Sequence, residues 1–220
     1  ILEGGKVTST FRDNWSDPHF WGWLRHKSTG RTAINTKIVI DGEGSELSYH
    51  KDSSIRVVGG HKETNVDVLI SNGGKFSAGI LELENGTTNI QIGNKSKGGV
   101  LDVKRFELTP ANVTFTFDQT DNFEFKPEIT AALTYKPVNF VQSGSGTTLF
   151  APTSMENVNS KVDITDGTLK VGRDNAFGND SVTTEVNIGE KGTLALNNFN
   201  ASVSTINNQG TLDLTSDNAD

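Results

Sequence analysis

Several kinds of residue and pattern are scarce in this chain, and each absence excludes a class of protein. Cysteine is absent, so the chain forms no disulfides and holds no metal through thiolates. Export through an oxidising compartment in an unfolded state is compatible with that absence. No run of about 18 apolar residues occurs, so we predict no membrane-spanning helix. The net charge is −7 and the basic residues are scattered, which argues against a nucleic-acid partner.

Helix-rich architectures are also disfavoured by what the chain contains. Only 33% of the residues are apolar, methionine occurs once, and proline occurs five times. Glycine occurs 23 times and asparagine recurs throughout. Short strands separated by Gly, Asn and Asp turns fit this composition better than the helical stretches of an α/β enzyme. The chain begins with Ile1 and has no leader pattern, so we expect it to be part of a longer protein.

A short phrase returns three times in the last third of the chain. Residues 167–171, 192–196 and 210–214 read GTLKV, GTLAL and GTLDL, with starts 25 and 18 positions apart. We interpret the glycine as the residue that gives the backbone the freedom to turn a corner. The apolar residues at alternate positions then predict strands with one buried side. Three copies indicate a repeat in which each coil buries its apolar side against the next.

Looser copies of the same phrase lie further upstream, at residues 74–78 and 99–103. Apolar residues alternate from about residue 34 onwards, between turns rich in Gly and Asp. The sequence therefore predicts an all-β chain folded as a parallel β-helix, or β-solenoid. We divide it into an aromatic N-terminal cap or loop (residues 1–33), β-helix coils (34–108), a Phe-rich insertion (109–137) and regular C-terminal coils (138–220).

The Phe-rich segment interrupts the repeat. Val113, Phe115 and Phe117 alternate, and Phe123 and Phe125 do the same after a polar stretch. Two alternating runs on either side of a polar turn are typical of a β-hairpin. We therefore predict a hairpin insertion near residues 111–126.

All three tryptophans lie in the first segment, and they suggest a binding site. Trp15, Trp21, Trp23 and the nearby Arg25 are residue types that dominate binding hot spots, so they form a candidate ligand-binding loop. The alternative is a bulky cap that covers the open end of the core, because aromatic side chains also seal solenoid ends.

Catalytic chemistry finds little support in the residue patterns. Three carboxylate pairs could serve an enzyme, namely Asp163 with Asp166, Glu82 with Glu84 and Asp118 with Asp121, but each fits a turn or a solvated strand face. The four histidines have no metal-ligand spacing. Phosphate loops, nucleophile elbows and calcium-binding nonapeptides are missing. We predict no catalytic residues, no metal and no cofactor.

The motifs from residue 138 to 216 resemble the passenger-associated repeat of bacterial autotransporters. A strand reading FVQSGSGTTLF (140–150) is followed by VDITDGTLKVG (162–172), and the later G-T-L copies continue the succession. The stretch PTSMENVN (152–159) departs from the family's usual link. The resemblance implies a right-handed β-helix, a bacterial cell-surface or secreted location and export through the protein's own C-terminal β-barrel translocator. It also implies an autochaperone-like role for the C-terminal coils.

The function that follows is an adhesin-like or self-associating rod, active in virulence or biofilm formation, whose C-terminal part promotes folding during export. Its partners would be host-cell glycans, matrix proteins or the same protein on a neighbouring cell. Two alternatives stay open: a polysaccharide-degrading or glycan-binding β-helix enzyme, and a structural stalk with no ligand of its own.

Overall fold

The computed structural model describes residues 6–8, 21–24, 35–52, 54–58, 65–109, 111–131 and 137–215. Every regular element in these ranges is a β-strand, and every ladder between strands is parallel. The prediction of an all-β parallel solenoid is confirmed. Alternating apolar residues supply the strands, and the turns between them supply the corners of each coil.

Nineteen strands make up the described structure. The first nine are β1 (Lys6–Thr8), β2 (Trp21–Leu24), β3 (Asn35–Asp41), β4 (Glu46–Ser48), β5 (Ser54–Val58), β6 (Asn65–Ser71), β7 (Lys75–Glu84), β8 (Thr87–Ser96) and β9 (Val100–Leu108). The remaining ten are β10 (Asn112–Gln119), β11 (Asn122–Phe125), β12 (Glu128–Ala131), β13 (Val138–Gln142), β14 (Thr147–Phe150), β15 (Ser154–Glu156), β16 (Ser160–Val171), β17 (Thr184–Ala195), β18 (Thr205–Asn208) and β19 (Thr211–Asp213).

These strands stack in three columns, which we call faces 1, 2 and 3. Face 1 runs through β3, β6, β8, β10, β13, the first halves of β16 and β17, and β18. Face 2 comprises β1, β4 and the first parts of β7 and β9, then β11, β14, the second halves of β16 and β17, and β19. Face 3 comprises β2, β5, the second parts of β7 and β9, β12 and β15. We number as turns 1 to 5 the five coils that have all three faces, residues 35–58, 65–84, 87–108, 112–131 and 138–156.

Phenylalanine side chains fill the centre of the solenoid in its middle turns. Phe115 stacks on Phe140 with ring centroids 5.4 Å apart, and Phe125 stacks on Phe150 at the same distance. Phe177, from the loop after β16, adds a further ring 5.3 Å from Phe150. All five side chains are buried. Each ring comes from a different strand or loop, so the aromatic stack holds successive turns together.

The predicted hairpin near residues 111–126 is wrong. Strand β10 pairs in parallel with β8 and β13, and β11 pairs in parallel with β14, so the Phe-rich strands are two sides of one ordinary turn. The polar stretch between them, around residues 118–122, is a solenoid corner. A polar turn between two alternating runs has the same sequence pattern in a hairpin and at a corner, and only the pairing partners distinguish the two.

Face 2 is interrupted between turns 3 and 4. Strand β9 pairs there with β7 alone, and β11 pairs with β14 alone, so no ladder joins β9 to β11 among the described residues. The corner of turn 3 is long, with eight positions from Ile92 to Val100 against five from Ile70 to Lys75 in turn 2. The interruption divides the strands into an 8-stranded and an 11-stranded sheet.

The pairings on either side of this interruption share one register. Ser96 lies opposite Gln119 at the corner before it, and Arg105 lies opposite Glu128 on face 3 after it. Both pairs differ by 23 positions (119 − 96 and 128 − 105). If the strands of face 2 kept this register, every residue of β9 would lie opposite the residue 23 positions later.

Side-chain direction is incompatible with that register. Leu101 packs against the core, and a shift of 23 would place it opposite Glu124, which is exposed. The core-facing residues of β11 are Phe123 and Phe125, 22 positions after Leu101 and Val103. Because side chains alternate between the two sides of a strand, a one-residue slip turns an inward residue outward. In that register, direct pairing of β9 with β11 would place an inward side chain opposite an outward one.

The glycines of the G-T-L phrase stand at the corner between faces 1 and 2. Gly167 has a φ of +63°, the left-handed conformation that favours glycine. Gly192 and Gly210 do not, and a different constraint applies: a Cβ at Gly192 would overlap the carbonyl oxygen of Ile164, and one at Gly210 would overlap that of Gly189. Backbone freedom, as expected from the sequence, applies at Gly167, where a Cβ would also overlap the carbonyl oxygen of Gly144; close backbone stacking alone explains the other two copies.

We predict that Gly192→Ala lowers the free energy of unfolding by at least about 3 kcal/mol, because backbone atoms cannot move aside for the added methyl group. The matched control is Gly189→Ala, where a Cβ would meet its nearest atom at 3.4 Å, an ordinary contact. That control should change stability by less than about 1 kcal/mol. Urea denaturation of both variants measures the difference, and equal losses would contradict the close-approach explanation.

Candidate functional site

The outward side of face 1 carries two columns of side chains that run the length of the solenoid. Column A has no apolar member, and column B mixes amides, a hydroxyl and a carboxylate with three aliphatic residues. Column A is Lys37, Asp67, Asn89, Thr114, Asn139, Lys161, Glu185 and Thr205. Column B is Val39, Leu69, Gln91, Thr116, Val141, Asp163, Asn187 and Asn207.

Hydrogen bonds between successive turns hold the side chains of these columns in place. In column A, the Asn89 amide donates to the Asp67 carboxylate at 2.6 Å. In column B, Asn187 donates to Asp163 at 2.7 Å and accepts from the Asn207 amide at 2.7 Å. The bonds run along the solenoid axis, so these five side chains are already oriented before any ligand arrives.

This arrangement presents donors and acceptors at the strand spacing of about 4.8 Å. Most column residues are half-buried by their neighbours, so ligand binding would cost little further side-chain entropy. A repeating array of amides, hydroxyls and carboxylates can hydrogen-bond sugar hydroxyls or the polar groups of another protein.

Several charged side chains on face 3 have partners within the face. The Arg105 guanidinium lies 2.6 Å from the Glu107 carboxylate and 4.0 Å from that of Glu128. Glu82, one of the carboxylates singled out in the sequence, accepts a hydrogen bond of 2.5 Å from the Ser54 hydroxyl. These contacts give the carboxylates structural partners within the sheet.

Asp118 and Asp121, one of the carboxylate pairs considered from the sequence, link successive turns at the corner between faces 1 and 2. Asp118 is buried and accepts from the backbone N–H of Lys95 at 3.1 Å and from the Ser143 hydroxyl at 3.2 Å. Asp121 accepts from the backbone N–H of Gly98 at 2.8 Å. Both carboxylates therefore anchor the long corner of turn 3, which agrees with the turn role expected from the sequence.

Asp163 and Asp166 also have separate structural partners. Asp163 bonds to Asn187 in column B and lies 3.5 Å from the Lys161 ammonium. Asp166 accepts from the backbone N–H of Gly167 at 2.8 Å, as a turn residue does. No group of three or more histidine, aspartate or glutamate side chains suited to a metal ion occurs in the described ranges.

The tryptophan site falls largely outside the described residues. Trp15 and Arg25 lie outside them, whereas Trp21 and Trp23 lie on β2, whose backbone pairs in parallel with β5. The strand thus stacks on turn 1 at the N-terminal end of face 3. The ligand-binding role of these four residues stays a prediction.

A series of buried, hydrogen-bonded polar side chains at the corner between faces 1 and 2 was not predicted from the sequence. The Gln119 amide donates to the Thr148 hydroxyl at 2.8 Å, and that hydroxyl donates to the Gln142 carbonyl at 2.6 Å. Gln142 in turn donates to the carbonyl of Gly144 at 2.8 Å. Gln142 directly precedes a Ser-Gly-Ser-Gly turn. A side-chain amide next to such a turn can hydrogen-bond to the turn backbone, so the sequence did contain an indication of this contact.

The Asp41 carboxylate, at the corner between faces 1 and 2 in turn 1, has a shifted pKa. Hydrogen bonds from the Ser71 hydroxyl (2.6 Å) and the Asn72 amide (2.8 Å) lower the pKa of Asp41 below its usual range. Because the folded-state pKa of Asp41 is lowered, these hydrogen bonds stabilise the folded protein at pH values above the unfolded pKa of about 3.9. That stabilisation is lost as the pH falls through the lower folded value. These hydrogen bonds between turns 1 and 2 are therefore at full strength at neutral pH.

Comparison with protein families, with characterised proteins and with solved structures finds no significant match. The described ranges contain no helix that is long and apolar enough to cross a membrane.

Column B provides a test of its hydrogen-bond ladder. We predict that Asn187→Asp destabilises the protein by about 1–2 kcal/mol at pH 7, because a third carboxylate would face Asp163 and Glu185, to which Asn187 now donates. The loss should shrink below about pH 4, where carboxylates take up protons. Urea denaturation at both pH values measures it.

The control for this test is Asn139→Asp in column A. The new carboxylate would lie beside Lys161 in the next turn, so we expect stability at pH 7 to be unchanged or slightly higher. A loss of the same size in both variants would show that the position of the charge does not matter.

Proposed function

We propose that this chain is a segment of a bacterial autotransporter passenger that acts at the cell surface as an adhesin or self-associating rod. The observation that carries the proposal is the pair of outward columns on face 1, eight residues each, in register along the solenoid. Such a surface offers many weak hydrogen bonds in parallel, and their combined strength suits adhesion between large objects. A parallel solenoid is also the fold that the resemblance implies.

The proposed partners are host-cell glycans, matrix proteins or the same protein on a neighbouring cell. Column A is polar throughout, and column B adds aliphatic side chains at Val39, Leu69 and Val141. Mixed polar and apolar surfaces of this kind are common in non-obligate interfaces. The C-terminal β-barrel translocator belongs to the same proposal, as the part of the longer protein that would export this segment.

A non-enzymatic role is part of this proposal. The carboxylates singled out by the sequence, where their partners are described, are bonded to neighbouring turns, lysines or corner backbone. Two alternatives stay open, a polysaccharide-degrading or glycan-binding β-helix enzyme and a structural stalk without a ligand, and the binding experiment below separates the stalk from an adhesin.

To test the adhesin role, the purified chain is labelled and applied to immobilised collagen, to a panel of oligosaccharides and to a surface carrying the chain itself. We expect binding to at least one of the three and at least a tenfold loss in the double variant Thr114→Arg/Asn139→Arg, whose long side chains would cover column A. Thr130→Arg, on the outward side of face 3, is the control and should bind normally. Absence of binding in all three arms would leave the stalk alternative.

We further propose that folding proceeds from the C-terminal turns towards the N-terminus. Strands β16 and β17 pair through faces 1 and 2 from Ser160↔Thr184 to Lys170↔Ala195, with a single register shift. The N-terminal turns are less continuous, because face 2 is interrupted after turn 3. Their core also contains a cavity of about 10 Å³, lined by residues such as Ile38, Val66 and Phe76. A solenoid that propagates from a nucleus would start where pairing is longest.

Two leucines with the same burial test the folding order. Leu194 lies in β17 and Leu83 in β7, and both side chains are 0% exposed. We predict that Leu194→Ala slows refolding about tenfold, whereas Leu83→Ala changes the refolding rate less than twofold and mainly accelerates unfolding. Stopped-flow measurements of both variants decide the matter, and equal slowing of refolding would contradict a C-to-N order.

A further inference from the structure

Two Asn-Gly steps occur in the chain, at residues 72–73 and 85–86, and each forms part of a solenoid corner. Asn72-Gly73 lies between β6 and β7, at the corner between faces 1 and 2. Asn85-Gly86 lies between β7 and β8, at the corner between face 3 of turn 2 and face 1 of turn 3. All four residues have a left-handed backbone, with φ of 52°, 83°, 52° and 72° in chain order. The two steps share sequence and conformation, so their surroundings distinguish them.

An Asn-Gly step is open to attack on the asparagine side chain by the backbone of the chain itself, because glycine has no Cβ to hinder the approach. The glycine nitrogen gives its proton to water and forms a bond to Cγ of the asparagine. The bond from Cγ to the side-chain nitrogen breaks, ammonia leaves, and a five-membered succinimide ring remains. Water then opens the ring at one of its two carbonyl carbons and gives aspartate or isoaspartate. The reaction needs a side-chain amide that can rotate and a glycine N–H that can lose its proton.

Hydrogen bonds hold both of these groups at the Asn72-Gly73 step. The Asn72 side-chain amide donates to the Asp41 carboxylate at 2.8 Å, which holds it against turn 1. The Gly73 N–H donates to the carbonyl of Gly98 at 2.9 Å, in the long corner of turn 3. Both bonds must break before the glycine nitrogen can attack Cγ. The neighbouring turns therefore protect this step.

The Asn85-Gly86 step lacks this protection. Asn85 is exposed, and the described residues supply no hydrogen bond to its side-chain amide or to the Gly86 N–H. The Gly86 carbonyl accepts from the N–H of Asn112 at 2.9 Å, but that carbonyl takes no part in the attack. Both reacting groups are thus available at this corner.

We infer that Asn85 is a site of spontaneous deamidation, which converts to aspartate and isoaspartate in the folded protein while Asn72 stays intact. The difference between the two steps comes from the hydrogen bonds that turns 1 and 3 make to the first step. The inference concerns the corner between faces 3 and 1 and does not depend on the function proposed for the outward columns of face 1.

Conversion at residue 85 alters the corner in two ways. The corner has two residues, and the strands on either side of it, β7 and β8, pair with other turns. In isoaspartate the backbone passes through Cβ, so the corner becomes longer by one carbon atom, and a change in corner length strains the register of the strands that it joins. Both products also place a negative charge next to Glu84. Deamidation here therefore acts on the junction between turns 2 and 3.

Incubation of the purified chain at mildly alkaline pH tests the inference. Peptide mass spectrometry follows aspartate at both positions, and an isoaspartyl methyltransferase assay follows isoaspartate. We expect residue 85 to convert at least fivefold faster than residue 72 in the folded protein, and the two rates to agree within about twofold in urea, where the hydrogen bonds are lost. Equal rates in the folded protein would overturn the inference. An unchanged ratio in urea would also overturn it, because the local sequence would then set the difference.

Two variants assign the protection to particular groups. Asp41→Ala removes the acceptor of the Asn72 amide and should accelerate conversion at residue 72 at least threefold. The rate at residue 85 is the internal control and should not change, since general loosening of the fold would raise both rates. Asn85→Gln, whose longer side chain would have to form a six-membered ring, should remove most of the isoaspartate signal. A signal that persists in this variant, or a rate at residue 72 that Asp41→Ala leaves unchanged, would contradict the assignment.

Discussion

The structure depends on one constraint, that inward residues must stay inward as the chain climbs from one turn to the next. In a parallel stack each strand inherits its register from the one before it, and a slip of one residue reverses every side chain. Corner length controls this register, because the corners are where residues can be added or removed. The protein meets the constraint on faces 1 and 3 through all of turns 1 to 5, and on face 2 everywhere except between turns 3 and 4.

Close stacking at the corners makes the constraint strict. At Gly192 and Gly210 the backbones of successive turns are so near that no side chain fits between them. Buried amides such as Gln142 and carboxylates such as Asp118 bond to the corner backbone and keep it in place. With the corners held, rings such as Phe115 and Phe140 align above one another, and the outward polar columns align as well. The aromatic core and the candidate binding surface are two results of the same alignment.

Much of the fold could be predicted from the sequence, because alternation and repeat are local patterns. The G-T-L copies led to parallel strands and to the corner positions of Gly167, Gly192 and Gly210. The Phe-rich turn was mistaken for a hairpin because its partners lie about 25 residues away in each direction, and pairing partners are not encoded in a local pattern. Similarly, the columns of face 1 and the interruption of face 2 depend on the register between distant strands. Asn187 and Asp163 are adjacent only because every corner between them has the required length.

The interruption of face 2 also has a mechanical meaning. Between most neighbouring turns from 1 to 5, three ladders of hydrogen bonds run side by side along the axis. Between turns 3 and 4 only the β8–β10 ladder on face 1 and the β9–β12 ladder on face 3 connect the coils. A pulling force along the axis would be shared by two ladders there instead of three, with the load displaced from the centre of the cross-section. Within turns 1 to 5, this is the level at which the fewest ladders resist bending of the rod.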